Sequence, residues 1–106
     1  MAWTMLFLAG LLEVVWASTM KASAGFTRLM PTLVTVLAML ASFGLLALSM
    51  RTLALGAAYA IWTGIGTIGA MLVGIIVYGE PATPARITAS LLILAGLVVM
   101  KLSTPG

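Results

Sequence analysis

Glu13 lies midway along an apolar run from Trp3 to Met20, and no Lys, Arg or His stands at matching depth in the chain's other apolar runs. A carboxylate at the centre of a bilayer costs at least ~2.5–3.5 kcal/mol on insertion scales and normally faces a water-filled cavity or a partner. Two readings stay open. Glu13 is either a neutral acid hydrogen-bonded to a neighbouring helix, or a carboxylate that takes up protons or cations. The second is the favoured reading.

Other residues are spaced to serve such a carboxylate. At about 100° per helical residue, Leu6, Ala9, Gly10, Trp16, Ala17 and Met20 share its face. Trp16 is one turn away and too deep for an interfacial aromatic belt; core packing is its simpler role. Tyr59 and Trp62 stand one turn apart on a later run, and Thr63, Gly66, Ala70 and Gly74 continue their face. They suit either a belt near a helix start or a cation site, since a cation is attracted to aromatic faces. Ser42 sits near the middle of the run between. A serine there commonly bonds back to its own helix, which makes Ser42 the weakest of the candidates. Glu13, Trp16, Ser42, Tyr59 and Trp62 are thus the candidate proton and substrate site.

The elements that must position these residues are membrane spans. About 20 helical residues cross a bilayer core, and four segments qualify: roughly residues 3–20, 32–50, 56–78 and 86–102. Lys21 to Arg28 forms the longest loop. Pro31 follows, in a first turn where its missing N–H has no intrahelical partner anyway. Arg51 and Thr52 mark a tight second connection. In the third, Gly79 to Pro84, two prolines are expected to stop one helix before the next begins. Residues 1–106 then make a single all-α transmembrane domain of four helices. Gly66, Ala70 and Gly74 allow close helix approach. Gly64 and Gly66 offer a hinge within a span, with packing as the plainer reading. Ala89, Ile93, Gly96 and Met100 line one stripe of the fourth span, whose depth carries no polar side chain. That stripe reads as a helix–helix contact.

Composition closes off other classes. Of the 106 residues 63% are hydrophobic and only 7% charged, against roughly 25% charged in a soluble domain, and mean hydropathy is +1.27. The absence of Cys and His removes disulfides, zinc sites, thiol nucleophiles and imidazole chemistry. The eight Met read as packing residues. Five scattered Lys and Arg make no basic patch, so no nucleic-acid partner is expected. The first Lys follows the first apolar run instead of preceding it, which argues against a cleaved signal peptide. Short loops alternate the helices, leaving Lys21, Arg28 and Arg86 on one side and Arg51 and Lys101 on the other. Orientation follows the Lys/Arg excess, and three against two is almost none. The chain should insert either way.

Taken together, these residues resemble the small multidrug resistance transporters, over essentially the whole chain. The likeness rests on Glu13, on Lys21 followed by Gly25-Phe26-Thr27-Arg28-Leu29 and Pro31, on Ala58-Tyr59-Ala60-Ile61-Trp62, on Gly64-x-Gly66, and on Glu80-Pro81. It implies a multi-pass protein of a bacterial inner membrane, working as an antiparallel homodimer of dual-topology subunits. It also implies that Glu13 of both subunits shares one central site, and that the fourth helices pack across the dimer through Ala89, Ile93 and Gly96. Proton-coupled antiport of small cations follows, with the proton gradient as energy source, no cofactor, and lipid, protons and cation as partners.

Within the family, Glu13-Val14-Val15-Trp16-Ala17, Ser42 and Trp62-Thr63-Gly64-Ile65-Gly66 look like the guanidinium-exporting branch. The branch that exports bulky quaternary ammonium ions usually has glycine at the Trp16 position. By resemblance, Trp16, Ser42, Tyr59 and Trp62 cage Glu13. Ala54 departs from a proline frequent in the family's second loop, which bears on loop stiffness alone. Guanidinium is planar and offers paired N–H donors in a fork that matches a carboxylate. Two carboxylates in one low-dielectric site resist joint ionisation, so protons and the cation should displace one another. A multidrug exporter is the alternative within the family. A non-transporting membrane assembly subunit is the alternative from another class, and Glu13 argues against it. An enzyme is not expected.

Overall fold

A computed structural model describes residues 2–104; positions 1, 105 and 106, the ends of the expected domain, lie outside the described residues. It holds four α-helices: α1 (Ala2–Ala22), α2 (Leu29–Ser49), α3 (Leu55–Tyr78) and α4 (Pro84–Ser103). Each is long and apolar enough to cross a membrane. The expected number stands, but three ends move by two residues or more. α2 starts at Leu29, ahead of Pro31, because the Thr32 N–H donates to the Arg28 carbonyl at 3.1 Å. Pro31 thereby falls among the first-turn positions whose N–H groups have no helical partner. α4 starts at Pro84, so this proline opens a helix and does not stop one. Thr83 caps it, its side chain accepting from the Arg86 N–H at 3.2 Å, a typical N-cap arrangement. α1 runs past Met20 to Ala22, where the Ser23 N–H still reaches the Thr19 carbonyl at 2.8 Å.

Two loops are tightly wound. Ser23, fully buried, donates to the Met20 carbonyl at 2.7 Å and accepts from the Phe26 N–H at 3.0 Å. This holds Ala24, Gly25 and Phe26 at φ of 49°, 75° and 66°, a left-handed turn that glycine alone adopts without penalty. α3 ends on Gly79 at φ 65°, and the Glu80 N–H folds back to the Gly74 carbonyl at 3.0 Å, a glycine C-cap.

The helices lie side by side in the order α2, α1, α3, α4, giving Cα extents of 42 × 34 × 16 Å. This is a flattened bundle in which α2 also meets α3 through Ser42, Phe43 and Trp62. α1 packs on both α2 and α3, whereas the backbone of α4 approaches α3 alone and reaches α1 only through side chains. The core is correspondingly small: Leu6, Ala9, Leu46, Leu53, Ala58, Ile61 and Trp62. Glycine brings α1 and α3 together. Gly10 faces Ile65, Gly69 faces Val14, and Gly66 faces the Glu13 side chain, all so closely that a Cβ would collide. Lys101 lies over the Trp3 ring at 4.9 Å at one end of the bundle, and Lys21 over the Tyr78 ring at 5.7 Å at the other. Both pairs place a charged head at a helix end, where long side chains reach the interface.

Candidate functional site

α1 delivers Glu13 to the side of α3 at the point where α3 has no side chain. The carboxylate rests against Gly66, and any Cβ there would overlap it. Its Oε1 atom is buried and has no hydrogen-bond partner among the described residues. Trp16 Nε1, one turn along α1, and Thr63 Oγ1, one turn before Gly66 on α3, are buried and unpartnered in the same way. Buried polar groups in proteins are overwhelmingly satisfied, and here three unpaired ones stand on two touching helices.

Beside them is a cluster whose bonds are complete. Ser42, fully buried on α2, donates to the Ala9 carbonyl of α1 at 2.7 Å and accepts from Trp62 Nε1 at 3.0 Å. It does not bond back to its own helix, which was its simpler reading. One hydroxyl thus ties together α1, α2 and α3. Trp62 in turn carries Tyr59, with ring centroids 5.6 Å apart. Tyr59 is half exposed at 54% and opens away from the core.

Phe43 was not singled out by spacing. Its ring stands edge-on between Trp16, at 6.3 Å, and Trp62, at 5.8 Å, within the range where such pairs attract. It is the single aromatic side chain of its span and follows Ser42 directly, which was the available signal. Trp16, Phe43, Trp62 and Tyr59 therefore form one continuous aromatic row across α1, α2 and α3. Ser42, Tyr59 and Trp62 are joined to one another, and Trp16 reaches them through Phe43. The unpartnered Oε1 of Glu13 stands outside these bonds.

The remaining candidates are placed as follows. α3 is a continuous helix through Gly64 and Gly66; Gly64 faces Leu97 of α4 as tightly as Gly66 faces Glu13. The stripe on α4 divides. Ile93 and Met100 are half-buried beside α3, whereas Ala89 and Gly96 are exposed, with nothing near the position of a Cβ on Gly96. Among the described residues, no three His, Cys, Asp or Glu stand together as metal ligands.

A family profile described as "Small Multidrug Resistance protein" matches residues 1–100. The chain belongs to the small multidrug resistance family. Membership of this family, with four helices each long and apolar enough to cross a membrane, makes it a multi-pass transporter of the bacterial inner membrane. The chain is 53% identical to a Citrobacter freundii protein named "Guanidinium exporter" over 104 residues, 98% of this chain and 99% of that one. It is 52% identical to a Salmonella typhimurium protein of the same name, covering 97% and 98%, and 51% identical to the Escherichia coli K12 protein so named, covering 98% and 99%.

Proposed function

We propose that this chain exports guanidinium, or small substituted guanidinium ions, in exchange for protons. It works as an antiparallel homodimer of dual-topology subunits that bring both Glu13 side chains to one site. The observation that carries the reading is the buried Glu13 Oε1 with no partner in its own subunit, since a membrane protein keeps such an atom for something that arrives. Relatives named for guanidinium export support the choice of cargo.

The chemistry is competition at one carboxylate. Glu13 can hold a proton or face a cation, and the two displace each other. Guanidinium presents parallel N–H groups to the two carboxylate oxygens, while the aromatic row supplies π-faces for its charge. Ser42 acts as a positioning residue: by holding Trp62 it fixes the wall of the site. Gly64 and Gly66 serve as the joint at which α3 adjusts as the site opens to either side. Ala89, Ile93 and Gly96 of α4 seat the second subunit.

Proton flux in proteoliposomes tests the proposal, with guanidinium and a compact tetraalkylammonium ion run in parallel. Guanidinium should drive proton movement, and its apparent affinity should rise with pH as protons cease to compete. Robust flux with the tetraalkylammonium and none with guanidinium would overturn the cargo and favour the multidrug branch. No coupled flux with either would overturn antiport and favour an assembly subunit.

A further inference from the structure

Most hydroxyls inside these helices bond back to their own helix, and Thr63 does not. Ser18, Thr35, Thr67 and Thr88 each donate to the carbonyl four residues back at 2.7 Å, and Ser90 does so at 2.9 Å. Back-bonding of this kind satisfies a hydroxyl in a membrane helix without outside help. Thr67, one turn beyond Thr63 on the same helix, bonds to Thr63's own carbonyl. Thr63 makes no equivalent bond. Among the described residues its Oγ1 is the one buried hydroxyl left without a partner. Leaving a buried hydroxyl unpaired is unfavourable, and the ordinary remedy, the Tyr59 carbonyl, is four residues away on the same helix.

Position gives the exception a meaning. Gly10 packs on Ile65 and Glu13 on Gly66, so the α1 turn from Gly10 to Glu13 runs beside the α3 turn from Thr63 to Gly66. Helical side chains lean toward the N-terminus, which carries the Glu13 carboxylate back over that shared level. The other unpartnered buried atoms are Glu13 Oε1, within that stretch, and Trp16 Nε1, one turn beyond it on α1. Ser42 differs, because its hydroxyl is already engaged by Ala9 and Trp62.

We propose that Thr63 is a specificity-determining residue that touches the cargo, its hydroxyl accepting an N–H of the guanidinium group that the Glu13 carboxylate does not reach. The assignment rests on Glu13 being the cation site. A planar cation with several N–H donors uses both acceptors at once; a quaternary ammonium ion has no N–H and gains nothing from the hydroxyl. Thr63 thereby favours guanidinium ions over quaternary ones.

The test uses the full-length protein in detergent, with affinities read from the quenching of its tryptophan fluorescence. The probes are guanidinium and tetrapropylammonium, the latter measured by competition. Thr63→Val keeps the branched shape and removes the hydroxyl; it should weaken guanidinium binding about tenfold and move tetrapropylammonium by less than about twofold. Thr63→Ser restores the hydroxyl and should return guanidinium binding to near that of the unmodified protein. Should the valine variant fail to assemble, Thr63→Ala gives the same comparison. Unchanged guanidinium affinity in Thr63→Val overturns the proposal. So does an equal loss for both cations, or a Thr63→Ser variant as weak as Thr63→Val, since either marks a packing role. Failure of the unmodified protein to bind guanidinium is a separate result that removes the underlying reading of Glu13.

Discussion

Gly66 and Gly96 are the same residue type at similar depth in adjacent helices, and their surroundings are opposite. At Gly66 of α3 the missing side chain is replaced by the Glu13 carboxylate of α1. At Gly96 of α4 nothing lies within 4 Å of where a Cβ would stand. α3 buries seven residues and α4 none. In lipid there is no hydrophobic drive to bring helices together, so close approach through small residues and polar bonds must do it. The α1–α3 pair uses small residues within one subunit, and the polar bonds of Ser42 tie both helices to α2. α4 offers a gap with no occupant from its own chain. On the proposed function, small residues would serve chemistry in one region and assembly in the other.

The largest expected effect falls on the site side. Glu13→Gln keeps the side chain's shape against Gly66 while removing the group that titrates. Dimer assembly, followed by size-exclusion chromatography, should survive. Cation-driven proton flux should vanish, and any residual binding should lose its pH dependence. Substantial proton exchange by Glu13→Gln protein would refute the coupling.

The paired glycine substitutions come next and address the contrast directly. Gly66→Ala places a methyl group into the Glu13 carboxylate; overpacking of this kind costs about 1–3 kcal/mol, and transport should fall steeply with the dimer intact. Gly96→Ala meets no atom of its own subunit, so helix content and thermal stability of the monomer should hold. Its effect should appear instead as weaker self-association at low protein concentration. Equal stability losses from the two substitutions would erase the distinction between the helices.

Ser42→Ala tests whether the completed cluster is support or ligand. It strands Trp62 Nε1, and an unpaired buried donor costs roughly 1–3 kcal/mol, while the Ala9 carbonyl keeps its place in the α1 ladder. Thermal stability should drop, and guanidinium affinity should fall by about tenfold as Trp62 loses its anchor. Loss of affinity with unchanged stability would make Ser42 a direct ligand.

Much of this was legible from the chain alone, and the misses have physical causes. The four spans and the isolation of Glu13 follow from hydropathy and depth, which one-dimensional reading captures. The start of α4 was misread because Pro84 can end one element or open the next, and Thr83 as its cap decides between them only in three dimensions. The same holds for Ser42. Its own helix offered an acceptor, and only the approach of α1 at Ala9 provides a better one. Phe43 went unnoticed because an aromatic ring in an apolar run carries no pattern of its own. Ile93 and Met100 were grouped with Ala89 and Gly96 by helical spacing, although α3 covers only part of that stripe. Periodicity finds a face; it does not say which neighbour takes it.

The smallest effect is expected outside the membrane, where neither device operates. Arg86 reaches Glu80 at 3.5 Å with both side chains nearly half exposed, and surface pairs of this kind contribute about 0–1 kcal/mol. Arg86→Gln should therefore leave thermal stability unchanged within that range. It also takes one cation from the side that holds Lys21 and Arg28, turning three against two into two against two. If insertion follows Lys/Arg balance alone, a cysteine introduced at Ser103 should be labelled from both membrane faces in comparable amounts before and after the change. Adding two lysines beside Arg86 instead should fix one orientation and abolish transport when that variant is expressed by itself. Labelling from a single face in the otherwise unmodified chain would mean that the partner seated on α4 lies parallel, and the bare stripe at Gly96 would then require a different geometry from the antiparallel one.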